Sequence, residues 1–374
     1  MTDSRPWITL SLMNVLRFSL IASLASAVAL PASMAQTTAT TDPVGFVTVS
    51  IAAGSGTAKK NTLFSLPMLE AQSITGQVSG VITGVSSNSI SNSNAAWTAG
   101  ALSQPATPYL IQITSGAAEG RMFLIASSAN TGGAIAGTAN TATTVTVSSL
   151  DSAQVDLTSL GIVAGTDTYK IYACDTLNSF FGAGNATGAS AVRAGTAAAN
   201  ADTIVIVANG ATTTYFYSTS ANRWARVALG SPDASNVPLL PYYGVQFQRL
   251  ASTPLSFVVT GDVPMEQRQV AVKRSGATIL SQYWPADSTL GSLGLQNLAG
   301  WQSGASASAA DTVVLTSGGT ANTYFYNGTN WKRVALGSPN ADTTPVPIGT
   351  SISIVKKGSA SGYATLTQQP PYNP

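Results

Sequence analysis

The chain has 374 residues, a formal net charge of +2 and no histidine, and only 9% of its residues are charged. So few basic residues cannot neutralise a row of phosphates, and we therefore expect no nucleic-acid partner. The absence of histidine removes the usual general base and the commonest transition-metal ligand. Small and hydroxylated residues dominate, with short runs of β-branched residues, which is typical of an extracellular all-β protein. We expect no enzymatic activity, no catalytic residues, no cofactor and no metal.

The first 35 residues have the pattern of a signal peptide. Two arginines precede an apolar run over residues 18–30, and small residues at 33–35 suit cleavage after Ala35. Met13 is an alternative start that would give a shorter leader. The apolar run is shorter than the about 20 residues that a membrane-spanning helix needs. We therefore predict an exported protein, extracellular, at the cell surface or periplasmic, with no membrane span after signal cleavage.

Short predicted strands follow the leader. In residues 42–51, the apolar side chains Val47, Val49 and Ile51 recur at every second position, so one face of this strand is apolar. Further strands are predicted at 61–67, 109–113 and 121–126, separated by turns rich in glycine, serine and asparagine. This spacing predicts a small N-terminal β-barrel or sandwich domain over residues 36–172.

A motif that occurs twice defines the C-terminal half. Tyr-Phe-Tyr at 215–217 is followed by a polar turn and by Trp-Ala-Arg-Val-Ala-Leu-Gly-Ser-Pro at 224–232. The motif returns at 324–326 and 331–339, with Lys in place of the first Ala and a shorter turn. A length difference confined to the turn is typical of a duplicated hairpin. We predict two related antiparallel β units over 173–277 and 278–374, with few short helical turns.

Three further residues have simple structural interpretations. Cys174 is the single cysteine, so it cannot form an internal disulfide or a Cys-rich zinc site, and we expect a small apolar residue at a strand end. Asp202 and Asp311 stand before the first strand of each unit. We expect them to be turn residues.

Alternation along the two hairpin strands predicts their cross-strand partners. Tyr217 should lie opposite Trp224 and Tyr326 opposite Trp331, with Tyr215 and Tyr324 facing the two arginines. One face of each hairpin then carries aromatic rings and an arginine, while Phe, Val and Leu line the other. This face is either a structural cluster, which we favour, or a platform for sugar rings or another chain. The candidate binding residues are Tyr215, Tyr217, Trp224, Arg226, Tyr324, Tyr326, Trp331 and Arg333.

Several segments together resemble a known family. These are Asp-Pro-Val-Gly-Phe at 42–46, Thr-Leu at 176–177 before Phe-Phe-Gly at 180–182, and the Tyr-Phe-Tyr and Trp-x-Arg-Val hairpin. With these segments the chain resembles an uncharacterised secreted family of Verrucomicrobia and related bacteria. The resemblance implies a compartment and an architecture, and no activity. The chain departs from the family pattern at Cys174-Asp175, where a Trp usually precedes Thr-Leu.

The expected function is that of a secreted, non-enzymatic structural or adhesive protein of the cell envelope or extracellular space. The low charge and the Ser/Thr/Asn-rich surface suit packing in a matrix. The expected partners are further copies of the chain, other envelope proteins or glycans. The alternative is a carbohydrate-binding module that uses the Tyr/Trp hairpin faces.

Overall fold

A computed structural model describes residues 43–70, 74–127, 139–149, 156–182, 192–208, 211–317 and 320–372. The predicted signal peptide and the polar lead-in after it lie outside these ranges. In the described part of the chain, no helix is long and apolar enough to cross a membrane.

The structure is nearly all β, as the sequence predicts. The described strands are β1 (Val44–Ile51), β2 (Lys60–Phe64), β3 (Ser79–Val81), β4 (Gly84–Val85), β5 (Ser89–Ser91), β6 (Tyr109–Ile113), β7 (Met122–Ile125), β8 (Thr144–Ser149), β9 (Thr168–Ala173), β10 (Thr203–Ala208), β11 (Ala211–Ser218), β12 (Arg223–Arg226), β13 (Val245–Arg249), β14 (Leu255–Asp262), β15 (Arg268–Lys273), β16 (Gly276–Ser281), β17 (Ser288–Thr289), β18 (Thr312–Ser317), β19 (Thr320–Tyr326), β20 (Trp331–Arg333), β21 (Pro345–Val346), β22 (Ser351–Lys356) and β23 (Tyr363–Gln368). All strand pairs between them are antiparallel.

Within the described residues, helical structure is limited to short turns. The α-helix α1 (Leu177–Phe181) begins at Thr176, whose hydroxyl accepts from the Ser179 backbone while the Ser179 hydroxyl accepts from Thr176 N. This capping box satisfies two amides that the helix itself leaves unpaired. Short 3-10 turns lie at Ala101–Ser103, Leu157–Leu160, Ala198–Asn200 and Leu295–Asn297.

The duplication extends to the sheets. One five-stranded sheet has the order β12-β11-β10-β13-β2, and a second has the order β20-β19-β18-β22-β16. A two-stranded ribbon accompanies each sheet, β1 with β14 and β15 with β23. Each unit therefore consists of a five-stranded sheet and a two-stranded ribbon, and the equivalent strands follow one another in the same order along the chain.

The strand pairing crosses the boundaries that we placed at residues 172 and 277. β1 and β2, which the sequence order assigned to the N-terminal domain, pair with β14 and β13 of the first unit. β15 lies before residue 277 but pairs with β23 of the second unit. Local patterns could not show this, because the partner strands are far apart in the sequence.

The strands between β2 and α1 form a barrel inserted into the first unit. The sheet order is β3-β9-β6-β7-β8-β5-β4. Its two end strands are joined by Ile82 and Thr83, whose amides donate in opposite directions, to Asp167 O (2.8 Å) and Ser91 O (2.7 Å). The segment over residues 79–85 therefore pairs with β9 on one side and with β5 on the other, which closes the sheet into a barrel. Its interior holds one apolar cluster that includes Trp97, Phe123 and Tyr169.

The outer face of the barrel contacts the second unit. Leu110 and Leu124 share a core cluster with Val270 and Val272 of β15. At this contact the guanidinium of Arg268 is buried and donates to Tyr242 O (2.7 Å) and Ser281 O (2.8 Å). Burial lowers the pKa of Arg268 to about 10, so the side chain is still a cation at neutral pH. Backbone carbonyls and neighbouring tyrosine rings stabilise that charge.

The two units meet through matching segments. Tyr243 forms an isolated bridge with Leu280, and Phe64 forms the corresponding bridge with Thr350. Gly244 lies in this contact, because its amide donates to Ile279 O (3.0 Å). A Cβ at Gly244 would lie 2.2 Å from Ser351 Oγ and 2.4 Å from Ser351 Cβ. The close approach of the two units therefore requires glycine here.

We expect Gly244→Ala to destabilise the protein by about 1–3 kcal/mol, because the added methyl group forces the two units apart. Chemical denaturation would measure this change. Gly84→Ala is the matched control, since its new Cβ would have its nearest neighbour at 3.6 Å. Equal denaturation midpoints for the two variants would contradict the expectation.

Candidate functional site

The two hairpins have the predicted register. Tyr217 pairs with Trp224 and Tyr215 with Arg226, and the second hairpin pairs Tyr326 with Trp331 and Tyr324 with Arg333. The Tyr217 and Trp224 ring centroids are 5.8 Å apart, and those of Tyr326 and Trp331 are 5.6 Å apart. The cross-strand prediction is confirmed.

The aromatic rings of this face lie in the core. Trp224 and Trp331 are both 0% exposed. The indole Nε1–H of Trp224 donates to Gly182 O (2.9 Å), and that of Trp331 donates to Gln296 Oε1 (3.3 Å). Tyr215, Tyr217 and Tyr324 are also buried, and Tyr326 is half-buried. These positions support the structural interpretation, since a sugar could not stack on rings that other residues cover.

The second face of the hairpin, which we expected Phe, Val and Leu to line, differs in part from that expectation. Phe216 and Ala225 do form the second face, and they are buried against Ala201. Val227 and Leu229 do not line that face, because β12 ends at Arg226. They lie instead in an exposed loop. Alternation gives the side of a side chain only as far as the strand continues.

Each hairpin ends in the same loop. The sequence Arg-Val-Ala-Leu-Gly-Ser-Pro occupies residues 226–232 and again 333–339. In both copies the amide of the Arg donates to the Pro carbonyl at 3.0 Å. The Ser has φ of 43° in the first loop and 41° in the second. The two loops therefore have one conformation, which we call the Leu loop.

The Leu loops present apolar side chains to solvent. Leu229 is 102% exposed and Leu336 is 104% exposed. The valines of the two loops, Val227 and Val334, are each 49% exposed. Arg226 and Arg333 are exposed beside them. Of the eight candidate residues, these two arginines are the ones that reach the surface.

Asp202 and Asp311 are not surface turn residues, which corrects the sequence interpretation. Both are 0% exposed and each forms a buried ion pair, Asp202 with Arg249 and Asp311 with Lys356. The Asp202 carboxylate also accepts from Leu250 N (2.6 Å). The same pattern in both units indicates a structural role. Neither ion pair was apparent from the sequence. In each unit the Arg or Lys lies on a strand that is not the next one along the chain after the Asp.

Cys174 lies in the core, at the point where the barrel joins the first unit. Its thiol donates to Leu239 O at 3.5 Å. Burial, with a smaller contribution from the nearby Asp175 carboxylate, raises the pKa of the Cys174 thiol well above its usual range. Burial and Asp175 also raise the pKa of Glu70. The adjacent cavity measures about 20 Å³, enough for one water molecule and too small for a substrate.

Comparison with known proteins adds no assignment: no family model, no curated protein and no solved structure matches the chain. Within the described residues, no group of three or more His, Cys, Asp or Glu side chains could hold a metal ion.

We expect Trp224→Ala and Trp331→Ala each to lower the free energy of unfolding by about 3–5 kcal/mol, because each substitution leaves a cavity in a core cluster. Thermal melting would measure the loss. Arg226→Ala is the exposed control on the same hairpin and should leave the melting temperature nearly unchanged. Trp variants that melt like the parent chain would show that the rings are not part of the core.

We expect Cys174 not to react with a thiol-specific disulfide reagent at pH 8 in the folded protein, since the thiolate is the reactive form and burial disfavours it. The same reagent should titrate one thiol after unfolding in guanidinium. Because the chain has a single cysteine, the absorbance change reports this site alone. Complete reaction within minutes while the fold is intact would contradict the buried placement.

Proposed function

We propose that this chain is an exported, non-enzymatic structural or adhesive protein of the cell envelope or extracellular space, and that its Leu loops bind further copies of the same chain. The observation that carries this proposal is the pair of identical, solvent-exposed Leu loops. A fully exposed leucine in a rigid loop gives no folding stability, but it can be buried in an association.

The comparison of the two units supports a role for the loops. Buried strand positions differ between the units, for example Ile204 against Val313 and Phe247 against Ile354. The exposed loop residues, in contrast, are the same at every position from Arg to Pro. A fixed loop conformation also lowers the entropy lost on binding.

A matching apolar surface lies on the ribbon of β1 and β14. Val44 is 76% exposed, Phe46 is 72% exposed and Val258 is 63% exposed. Phe46 and Thr48 lie on one face, and Thr48 pairs with Val258, so these side chains form one patch, which we call the ribbon patch. A Leu loop of one copy on the ribbon patch of another is a heterologous contact. Contacts of this kind build rings or open filaments.

Charge does not oppose this association. The chain carries 17 basic and 15 acidic residues, so copies repel one another weakly. The expected compartment and the resemblance to a secreted family agree with an assembled protein outside the cytoplasm. The alternative carbohydrate-binding use of the hairpin faces has less support, since the rings of those faces are covered.

We expect the chain without residues 1–35 to self-associate with rising concentration, and Leu229→Asp with Leu336→Asp to shift it to the monomer, because the charge cannot be buried without a partner. Phe46→Asp should have the same effect from the other side of the contact. Sedimentation velocity over a concentration series would measure both. Val163→Asp, at another exposed apolar position, is the matched control.

A parent chain that stays monomeric at high concentration would overturn the self-association. An assembly that the control disrupts as strongly as the Leu-loop variants would overturn the assignment to the loops. Fractionation of the native cells tests the compartment separately. Recovery of the protein in the cytoplasmic fraction would overturn the exported location.

A further inference from the structure

The second unit contains a cavity that takes no part in the proposed contacts between copies. It measures about 540 Å³, within the range of about 300–1,000 Å³ that small-molecule sites occupy. It lies between the end of β23 and the segments on either side of β17. The side chains that matter for its chemistry are Trp284, Asp287, Ser292, Asn297, Thr367 and Gln369.

The lining of the cavity is polar but carries little charge. Asp287 is the one charged residue among the described residues that line it. Asn297 and Thr367 are exposed there, and their side chains make no hydrogen bond to the described residues. The buried Nε1–H of Trp284 likewise has no acceptor within the described part of the chain. Unused hydrogen-bond donors and acceptors therefore lie at this cavity.

The first unit fills the corresponding place. There the returning strand β14 ends at Asp262, whose backbone exchanges two hydrogen bonds with Leu69, at 3.0 Å and 2.7 Å. Leu69 belongs to the segment that leads into the barrel. The cavity that is left beside it measures about 20 Å³. The fold thus forms a concavity at this point in both units, and within the described residues a chain segment occupies it only in the first.

We propose that the cavity of the second unit binds a neutral saccharide. An anionic ligand would meet Asp287 with no cation in the described lining, and an apolar ligand would leave the amide and hydroxyl groups unpaired. Sugar hydroxyls both donate and accept, which suits a carboxylate next to amides. The Trp284 ring lines the cavity but is only 4% exposed, so recognition rests on the polar groups around it. This inference goes beyond the structural role and does not depend on self-association.

Neutral hexasaccharides of glucose, mannose and N-acetylglucosamine are the probes, titrated into the parent chain by calorimetry. We expect saturable binding of at least one of them. The double variant Asp287→Ala with Asn297→Ala should weaken it by about tenfold or more, since two hydrogen-bonding groups are lost. Asn178→Ala removes an exposed amide from the first unit and should leave the affinity unchanged.

A second variant tests the cavity even if the double variant loses little saccharide affinity. Thr367→Trp places an indole in the cavity and should abolish binding while the melting temperature stays within the range of the control. Absence of binding to all three hexasaccharides would overturn the proposal, as would binding that both cavity variants retain. Binding of polygalacturonate in preference to the neutral probes would overturn the ligand class. None of these results bears on the Leu loops.

Discussion

The buried aspartate at the start of the central strand is the constraint on which each unit depends. The carboxylate of Asp202 contacts Arg249 and the amides of Arg193 and Leu250, and that of Asp311 contacts Lys356 and the amides of Gln302 and Lys357. A buried carboxylate without these partners would cost several kcal/mol. A slip of one residue between β10 and β13, or between β18 and β22, would remove them. The ion pair therefore selects the register of the central strand pair, and the hairpin on the other edge of that strand takes its position from it.

The same frame is packed with different side chains in the two units. In the first, Phe181 from α1 lies 5.5 Å from Trp224 between ring centroids. In the second, Trp301 takes that role beside Trp331, also at 5.5 Å, and the Lys356 ammonium lies 4.9 Å from the Trp301 ring. Core packing tolerates such exchange when total volume and pattern are kept. The Leu loops do not show this tolerance, although their Leu and Val side chains are exposed, and the proposed contact between copies would account for this contrast.

Sequence reasoning succeeded where the partners are close along the chain and failed where they are distant. Tyr217 and Trp224 belong to one hairpin, so alternation was enough to pair them. Alternation states which side chains share a face, but not what covers that face, and the burial of both tryptophans could not be read from it. The pairing of β2 with β13 spans the inserted barrel, and Asp202 reaches Arg249 past the hairpin of β11 and β12. No local pattern carries information about either contact. Cys174 was expected to be a small apolar residue at a strand end, and it directly follows β9 and is buried.

Because the barrel is inserted into the first unit only, the two units have different surfaces although they share one strand order. Its entry segment runs against the end of β14, so the first unit loses the concavity there and gains a covered strand end. The second unit keeps the concavity, with Trp284 and Asp287 among its lining residues and no segment of the described chain inside it. The Leu loops lie on the far edge of each sheet, beyond β12 and β20, and are unaffected by the insertion. If the Leu loops bind further copies and the cavity binds a saccharide, a duplicated unit keeps one surface in two copies for repeated contact and uses the other surface once for its own structure and once for a ligand.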